Sequence, residues 1–148
     1  MFLLDTNHCS YAILGHAQLL DRLNSCSDDV LVSTCTIVKG ELFDMAARSQ
    51  QRLSNLALIQ RFLVGLRIYP VDEMTAEVYG ELKAAVFDRY APKEKAQRRR
   101  TQITQLGVGE NDLWIAAIAI QHRLTLLSTD RDFQRIQAVR RFDVESWV

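Results

Sequence analysis

The stretch Met1-Phe2-Leu3-Leu4-Asp5-Thr6-Asn7 (MFLLDTN, residues 1–7) sets an unbroken apolar run directly against a carboxylate. A parallel strand covered on both faces reads as such a run, and open α/β sheets place ligands outside the carboxyl ends of their strands. Asp5 therefore has two readings. It caps the helix that follows, or it stands on the rim of a functional crevice.

Working outward, short apolar runs recur as "VLVST" (30–34), "RIYPV" (67–71, ended by Pro70), "TLLST" (125–129) and a last strand near "FDVESW" (142–147). Between them lie stretches with apolar residues at helical spacing. "SYAILGHAQLLDRLNS" (10–25) reads as a helix burying Ile13, Leu14, Leu19, Leu20 and Leu23. Further helices are expected over "TIVKGELFDMAARSQQ" (36–51), "LSNLALIQRFLVGL" (53–66), "DEMTAEVYGELKAAVFDRYA" (72–91, with Val78, Leu82 and Val86 stacked) and "ENDLWIAAIAIQHRL" (110–124). "DRDFQRIQ" (130–137) reads as a loop or short helix. This alternation predicts an α/β fold with a mainly parallel sheet built from right-handed crossovers. A single domain over residues 1–148 is expected, interrupted by a polar, basic and partly mobile connector at about 91–108.

Composition narrows the class of protein. With 148 residues, 48% hydrophobic and 24% charged, the chain has the mix of an ordinary globular domain. Eighteen basic and eighteen acidic residues cancel, so no global field advertises a nucleic-acid partner. Cys9, Cys26 and Cys35 are odd in number and lack metal-type spacing, which points to reduced thiols and a cytoplasmic setting. No apolar run approaches the ~18 residues of a membrane span. His8, His16 and His122 show no zinc-site spacing and are assigned surface or packing roles.

Four carboxylates occupy comparable positions. Asp5 and Asp130 follow strands, Glu41 lies in the first turns of the helix after the second strand, and Asp112 lies in the first turn of the helix that opens after the connector. Gly109 precedes Asp112 and permits a tight approach to that helix start. Strand ends and following helix starts share one edge of a parallel sheet, so all four acids can converge there. Convergent carboxylates repel, and a hard divalent cation such as magnesium or manganese relieves the conflict. A cation held this way supports in-line phosphodiester hydrolysis. Each acid also has a plain structural reading as a cap or turn former, least so Glu41, which stands among Ile37, Val38, Leu42 and Phe43. Lys39, two residues before Glu41, is placed to moderate the repulsion.

The strings "LLDTN", "GEL", "NDLWIAA" and "LSTDRDF", in this order across nearly the whole chain, resemble the PIN-domain ribonucleases, and most closely the VapC toxins of bacterial toxin–antitoxin pairs. The resemblance implies a three-layer α/β/α PIN-like fold and Mg2+-dependent endoribonuclease activity, with Mn2+ able to substitute. It also implies a homodimer and a small cognate antitoxin as partner. Asp5, Glu41, Asp112 and Asp130 become the catalytic metal ligands. Thr6 and Asn7 complete the first motif, Asn111 braces the turn that aims Asp112, Ser128 or Thr129 does the same beside Asp130, and Asp132 assists. Two departures stand out. Met45 occupies a position where many relatives carry glycine, and the basic stretch before the third acidic motif is longer than in compact relatives.

That stretch offers Lys93, Lys95, Arg98, Arg99 and Arg100 as contacts for RNA phosphates, against the alternative of a solvated loop. Arg48, Arg52, Arg61 and Lys83 are assigned to exposed helix faces, and Trp114 to the core or a dimer interface. A haloacid-dehalogenase-type phosphatase would need a second Asp where Asn7 stands. A housekeeping RNA-processing nuclease and a non-catalytic RNA-binding or scaffold protein of the same fold remain as alternatives to a toxin.

Overall fold

The computed structural model describes residues 1–27 and 30–148. Its strands are β1 (Phe2–Leu4), β2 (Val32–Cys35), β3 (Arg67–Tyr69), β4 (Thr125–Leu127) and β5 (Val144–Glu145). The helices are α1 (Thr6–Ile13), α2 (Ala17–Ser25), α3 (Thr36–Arg48), α4 (Arg52–Val64), α5 (Glu73–Tyr90), α6 (Lys95–Arg100), α7 (Glu110–Gln121) and α8 (Asp132–Gln137), with a 3-10 helix at Ile103–Leu106. The strands form one sheet in the order β3-β2-β1-β4-β5, and every pairing is parallel.

This order moves outward from β1 to β3 on one side, then returns past β1 to β4 and β5 on the other. With right-handed crossovers, the reversal sends α1–α4 to one face and α5–α8 to the opposite face. The helix packing agrees: α1 meets α2, α3 and α4, whereas α5 meets α7 and α8. The result is the expected α/β/α sandwich, with a crevice at the carboxyl end of β1, where the order switches direction.

Leu3 and Leu4 of β1 and Leu126 and Leu127 of β4 are almost fully buried, as two-sided coverage requires. Helix α7 is apolar nearly all round because it lies between the sheet and α5. Leu113, Ile115, Ala116, Ala117, Ile118 and Ala119 are all buried. Its alanines let α5 approach closely, and α5 answers with Leu82 and Val86. The start of α5 is fixed by a capping box in which Asp72 accepts from the Thr75 N–H and the Thr75 side chain engages the Asp72 N–H.

Two expectations from the sequence are corrected. The stretch 10–25 is not one helix. It breaks into α1 and α2 at Leu14-Gly15-His16, where Gly15 takes a left-handed φ of +80° that ends the first helix. Leu14 is consequently 81% exposed rather than buried, while Leu19 is fully buried. The connector at 91–108 is also folded rather than loose. Glu94 caps α6 by accepting from the Ala96 and Gln97 N–H groups, and Ile103, Leu106 and Val108 are buried in the core.

Candidate active site

Each carboxylate reaches the crevice because an element ends or begins there. Asp5 is the N-cap of α1, as the helix-capping reading expects, and it also lines the cleft at the end of β1. Its Oδ1 accepts from the His8 N–H at 2.6 Å and from His8 Nδ1 at 3.0 Å. Both bonds fall on one oxygen, which leaves Oδ2 without a protein donor among the described residues. Glu41 lies in the second turn of α3. Its Oε2 accepts from the Thr6 hydroxyl and its Oε1 from Asn111 Nδ2 at 2.7 Å. Thus three elements meet at one carboxylate.

Asp112 lies in the first turn of α7, whose N-cap is Gly109. A Cβ at position 109 would overlap Asp112 Oδ2, so the missing side chain is what allows this rotamer. Asp130 follows β4. Its N–H donates to Ser128 Oγ at 3.0 Å, and its Oδ1 accepts from the Asp132 N–H at 2.9 Å. Asp132 itself turns to accept from the Gly109 N–H at 2.9 Å, which ties the end of β4 to the start of α7.

Asp5, Glu41, Asp112 and Asp130 all line one open cleft of about 430 Å³, together with Thr6, Asn7 and Asn111. Burial first, and then the charges of Asp130, Asp132, Glu41 and Asp5, push the Asp112 carboxyl from 3.8 up to about 7. The one Lys or Arg lining the cleft among the described residues, Arg48, pairs with Asp44 rather than with any of these four acids, so their repulsion is of the kind that a cation from outside relieves. The donor set is all oxygen, which suits a hard cation. Among the described residues no three such side chains close tightly enough to hold an ion by themselves.

Several supporting assignments differ in detail. Asn111 secures Glu41 rather than the turn before Asp112. Ser128, not the exposed Thr129, holds Asp130. Lys39 does not approach the acids, because its Nζ lies 5.7 Å over the Phe43 ring. In the connector, Arg98 is committed to Asp88 Oδ1 at 2.5 Å and to the Phe87 carbonyl, whereas Lys93, Lys95, Arg99 and Arg100 are exposed.

His8, which the sequence assigns to a surface or packing role, also contacts Asp5. It is fully buried, and its Nε2 accepts from the Trp147 N–H at 3.4 Å. The tautomer with hydrogen on Nδ1 satisfies both this contact and Asp5. The i,i+3 spacing of Asp5 and His8 in the first turn of a helix was the available signal. Asp44, Arg48, Ile115 and Phe133 also line the cleft without having been anticipated. Cys9, close in sequence, is fully buried, and that burial pushes its thiol up to about 12, away from the reactive thiolate. Trp114 stacks on Tyr79 with ring centroids 3.6 Å apart, inside the α5–α7 packing.

Comparison with known proteins places this geometry. The PIN domain family matches residues 2–139. Ribonuclease VapC2 of Haemophilus influenzae is 31% identical over 151 residues, covering 99% of this chain and 98% of the relative. The tRNA(fMet)-specific endonuclease VapC of Shigella flexneri is 28% identical, covering 99% and 97%. Among solved structures, VapBC2 from Rickettsia felis bound to a DNA fragment from its promoter superposes with a TM-score of 0.75 at 27% identity, covering 99% and 98%. The carboxylate crevice at the switch point of a five-stranded parallel sheet thus sits in a chain that belongs to the PIN-domain family, among the VapC ribonucleases.

Proposed function

We propose that this chain is a divalent-metal-dependent endoribonuclease and the toxin of a toxin–antitoxin pair. The observation that carries the reading is the convergence of Asp5, Glu41, Asp112 and Asp130, from four separate elements, on one cleft. These four residues are the ones that would hold Mg2+, or Mn2+ in its place. When bound, the ion lowers the pKa of a water and stabilises charge on the phosphoryl oxygens during in-line displacement.

The remaining groups orient the ligands. His8 immobilises Asp5 through Oδ1 and leaves Oδ2 free to take a ligand. Thr6 and Asn111 bind one oxygen each of Glu41 and fix its rotamer, which reduces the entropy lost when a ligand is engaged. The Asp132 N–H does the same for the Asp130 carboxylate, and Ser128 Oγ holds the Asp130 backbone by accepting from its N–H. Asp112 accepts no hydrogen bond among the described residues and carries the raised carboxyl, so it gains most from a cation. Lys93, Lys95, Arg99 and Arg100 supply exposed positive charge for the flanking RNA.

The antitoxin reading is supported by an apolar groove beside the cleft. Ile13, Leu14, Leu42, Met45, Leu58 and Ile59 line it, and Met45 belongs to both groove and cleft. A small protein seated there would cover Leu14 and Met45, which are 81% and 50% exposed, and close the path to the carboxylates. The departure from glycine to Met45 therefore stands at the border of substrate and partner. Homodimerisation is part of the same proposal.

The test is cleavage of a structured RNA pool that includes initiator tRNA, with Mg2+ or Mn2+, against chelator and an Asp5→Asn variant, with cut ends mapped by sequencing. Expected are metal-dependent cuts that vanish in the variant while its thermal unfolding stays cooperative. Cuts that survive chelation or persist in Asp5→Asn at the wild-type rate would sink the mechanism.

A further inference from the structure

Along α3, Glu41, Asp44, Met45 and Arg48 are spaced three, four and seven residues from the first, so they form one stripe of the helix. All four line the carboxylate cleft, and Arg48 is its one Lys or Arg among the described residues. Arg48 Nη2 meets Asp44 Oδ2 at 2.5 Å, with both side chains largely exposed, 74% and 58%. An i,i+4 ion pair in water adds little to stability, so both partners exchange readily.

An RNA strand approaching this cleft meets five carboxylates: Asp5, Glu41, Asp44, Asp112 and Asp130. A cation at the scissile position answers for the ligands among them, but not for Asp44 and not for the phosphates on either side of the cut. Seven residues of helix advance ~10.5 Å, which sets Arg48 along the axis from Glu41 at a distance that suits a neighbouring phosphate rather than the scissile one. Its planar guanidinium matches two phosphate oxygens as well as it matches a carboxylate.

We propose that Arg48 receives the phosphate adjacent to the scissile one, exchanging Asp44 for it as the strand enters. The inference rests on the ribonuclease reading and deepens it. Arg48 is then a substrate-binding residue that sets where the strand lies relative to the carboxylates. Asp44 is its competitor, which holds the guanidinium over the cleft in the free protein and weakens RNA binding by the same contact.

The two partners of this pair must consequently act with opposite signs, which a merely structural ion pair cannot do. The experiment measures kcat and KM for Arg48→Ala, Arg48→Lys and Asp44→Asn on a short RNA carrying one mapped cut, and scans that RNA with single neutral methylphosphonate linkages. Arg48→Ala is expected to raise KM about tenfold with kcat within about twofold, and to lower the salt dependence by about one phosphate contact. Arg48→Lys recovers part of the loss, and Asp44→Asn lowers KM. One flanking methylphosphonate should reproduce the Arg48→Ala defect in the wild type and add nothing to it in the variant. An Arg48→Ala KM equal to wild type, a defect that adds to every linkage, or Asp44→Asn moving in the same direction as Arg48→Ala overturns the assignment. A wild type that cuts no RNA overturns the ribonuclease reading and this inference together.

Discussion

Asp112 is the residue whose chemistry depends most on what surrounds it. Its carboxyl, raised from 3.8 to about 7 by burial and then by Asp130, Asp132, Glu41 and Asp5, binds a proton more tightly in the folded than in the unfolded chain. Stability from this group is therefore fully present below about pH 4 and is lost as pH climbs through about 7. Removing the charge should stabilise the metal-free protein above neutrality and do little in acid. Asp112→Asn is expected to gain on the order of 1–2 kcal/mol at pH 8, after discounting for partial exposure, and almost nothing at pH 4.5. Thermal melts of both proteins in chelator across this range check it, and Mg2+ should raise the wild-type melting temperature at pH 8 but not the variant's. Equal stabilisation at both pH values would mean that repulsion among the acids is not what the fold tolerates here. The four acids were legible in the sequence because strand ends and helix starts are readable from pattern. His8 was not, since a single histidine at i+3 looks the same whether it faces a carboxylate or the core, and only the buried Trp147 backbone on its far side distinguishes them.

At the level of elements, the decisive geometry is the start of α7. Gly109 has φ −72° and ψ 144°, a conformation open to any residue, so its need for glycine comes from space rather than from backbone. Gly109→Ala should leave the fold cooperative yet force the Asp112 carboxylate out of its position, lowering cleavage by at least about tenfold and displacing the Asp132 bond to the 109 N–H. Steady-state kinetics beside a melting curve tests it, and unchanged kcat/KM would show that Asp112 can work from another rotamer. Helix periodicity predicted α3, α4, α5 and α7 well because each buries a continuous stripe. It failed at residues 14–16, where the apolar pattern runs on through a left-handed Gly15, because periodicity does not register a change of helix direction. The connector was misjudged for the opposite reason. Its charges concealed Ile103, Leu106 and Val108, three apolar residues too few and too close together to show a period.

The molecule as a whole has no net charge, yet its charge is segregated: acids gather at the crevice, and the exposed cations Lys93, Lys95, Arg99 and Arg100 gather on and beside α6. In a neutral chain no global field is available to draw in RNA, and the proposed role of these exposed cations rests on this separation instead. Arg98, although in the same run, is tied to Asp88 and the Phe87 carbonyl and serves the attachment of α6 to α5. The sequence presents these five cations as one group, and the structure divides them into one that holds the fold and four that face solvent. Reversing two of the exposed ones, as Lys95→Glu with Arg99→Glu, should raise KM for a long RNA about tenfold at low salt, flatten its salt dependence and leave the melting temperature nearly unchanged. On a short RNA that ends near the cut, the same double variant should behave as wild type, because the strand no longer reaches α6. Arg98→Ala should do the reverse, loosening α6 with a small loss of stability and a weaker effect on KM. Equal losses on long and short substrates would mean that α6 acts through the carboxylate cleft itself, and the separated charge would then have no part in drawing the strand across the molecule.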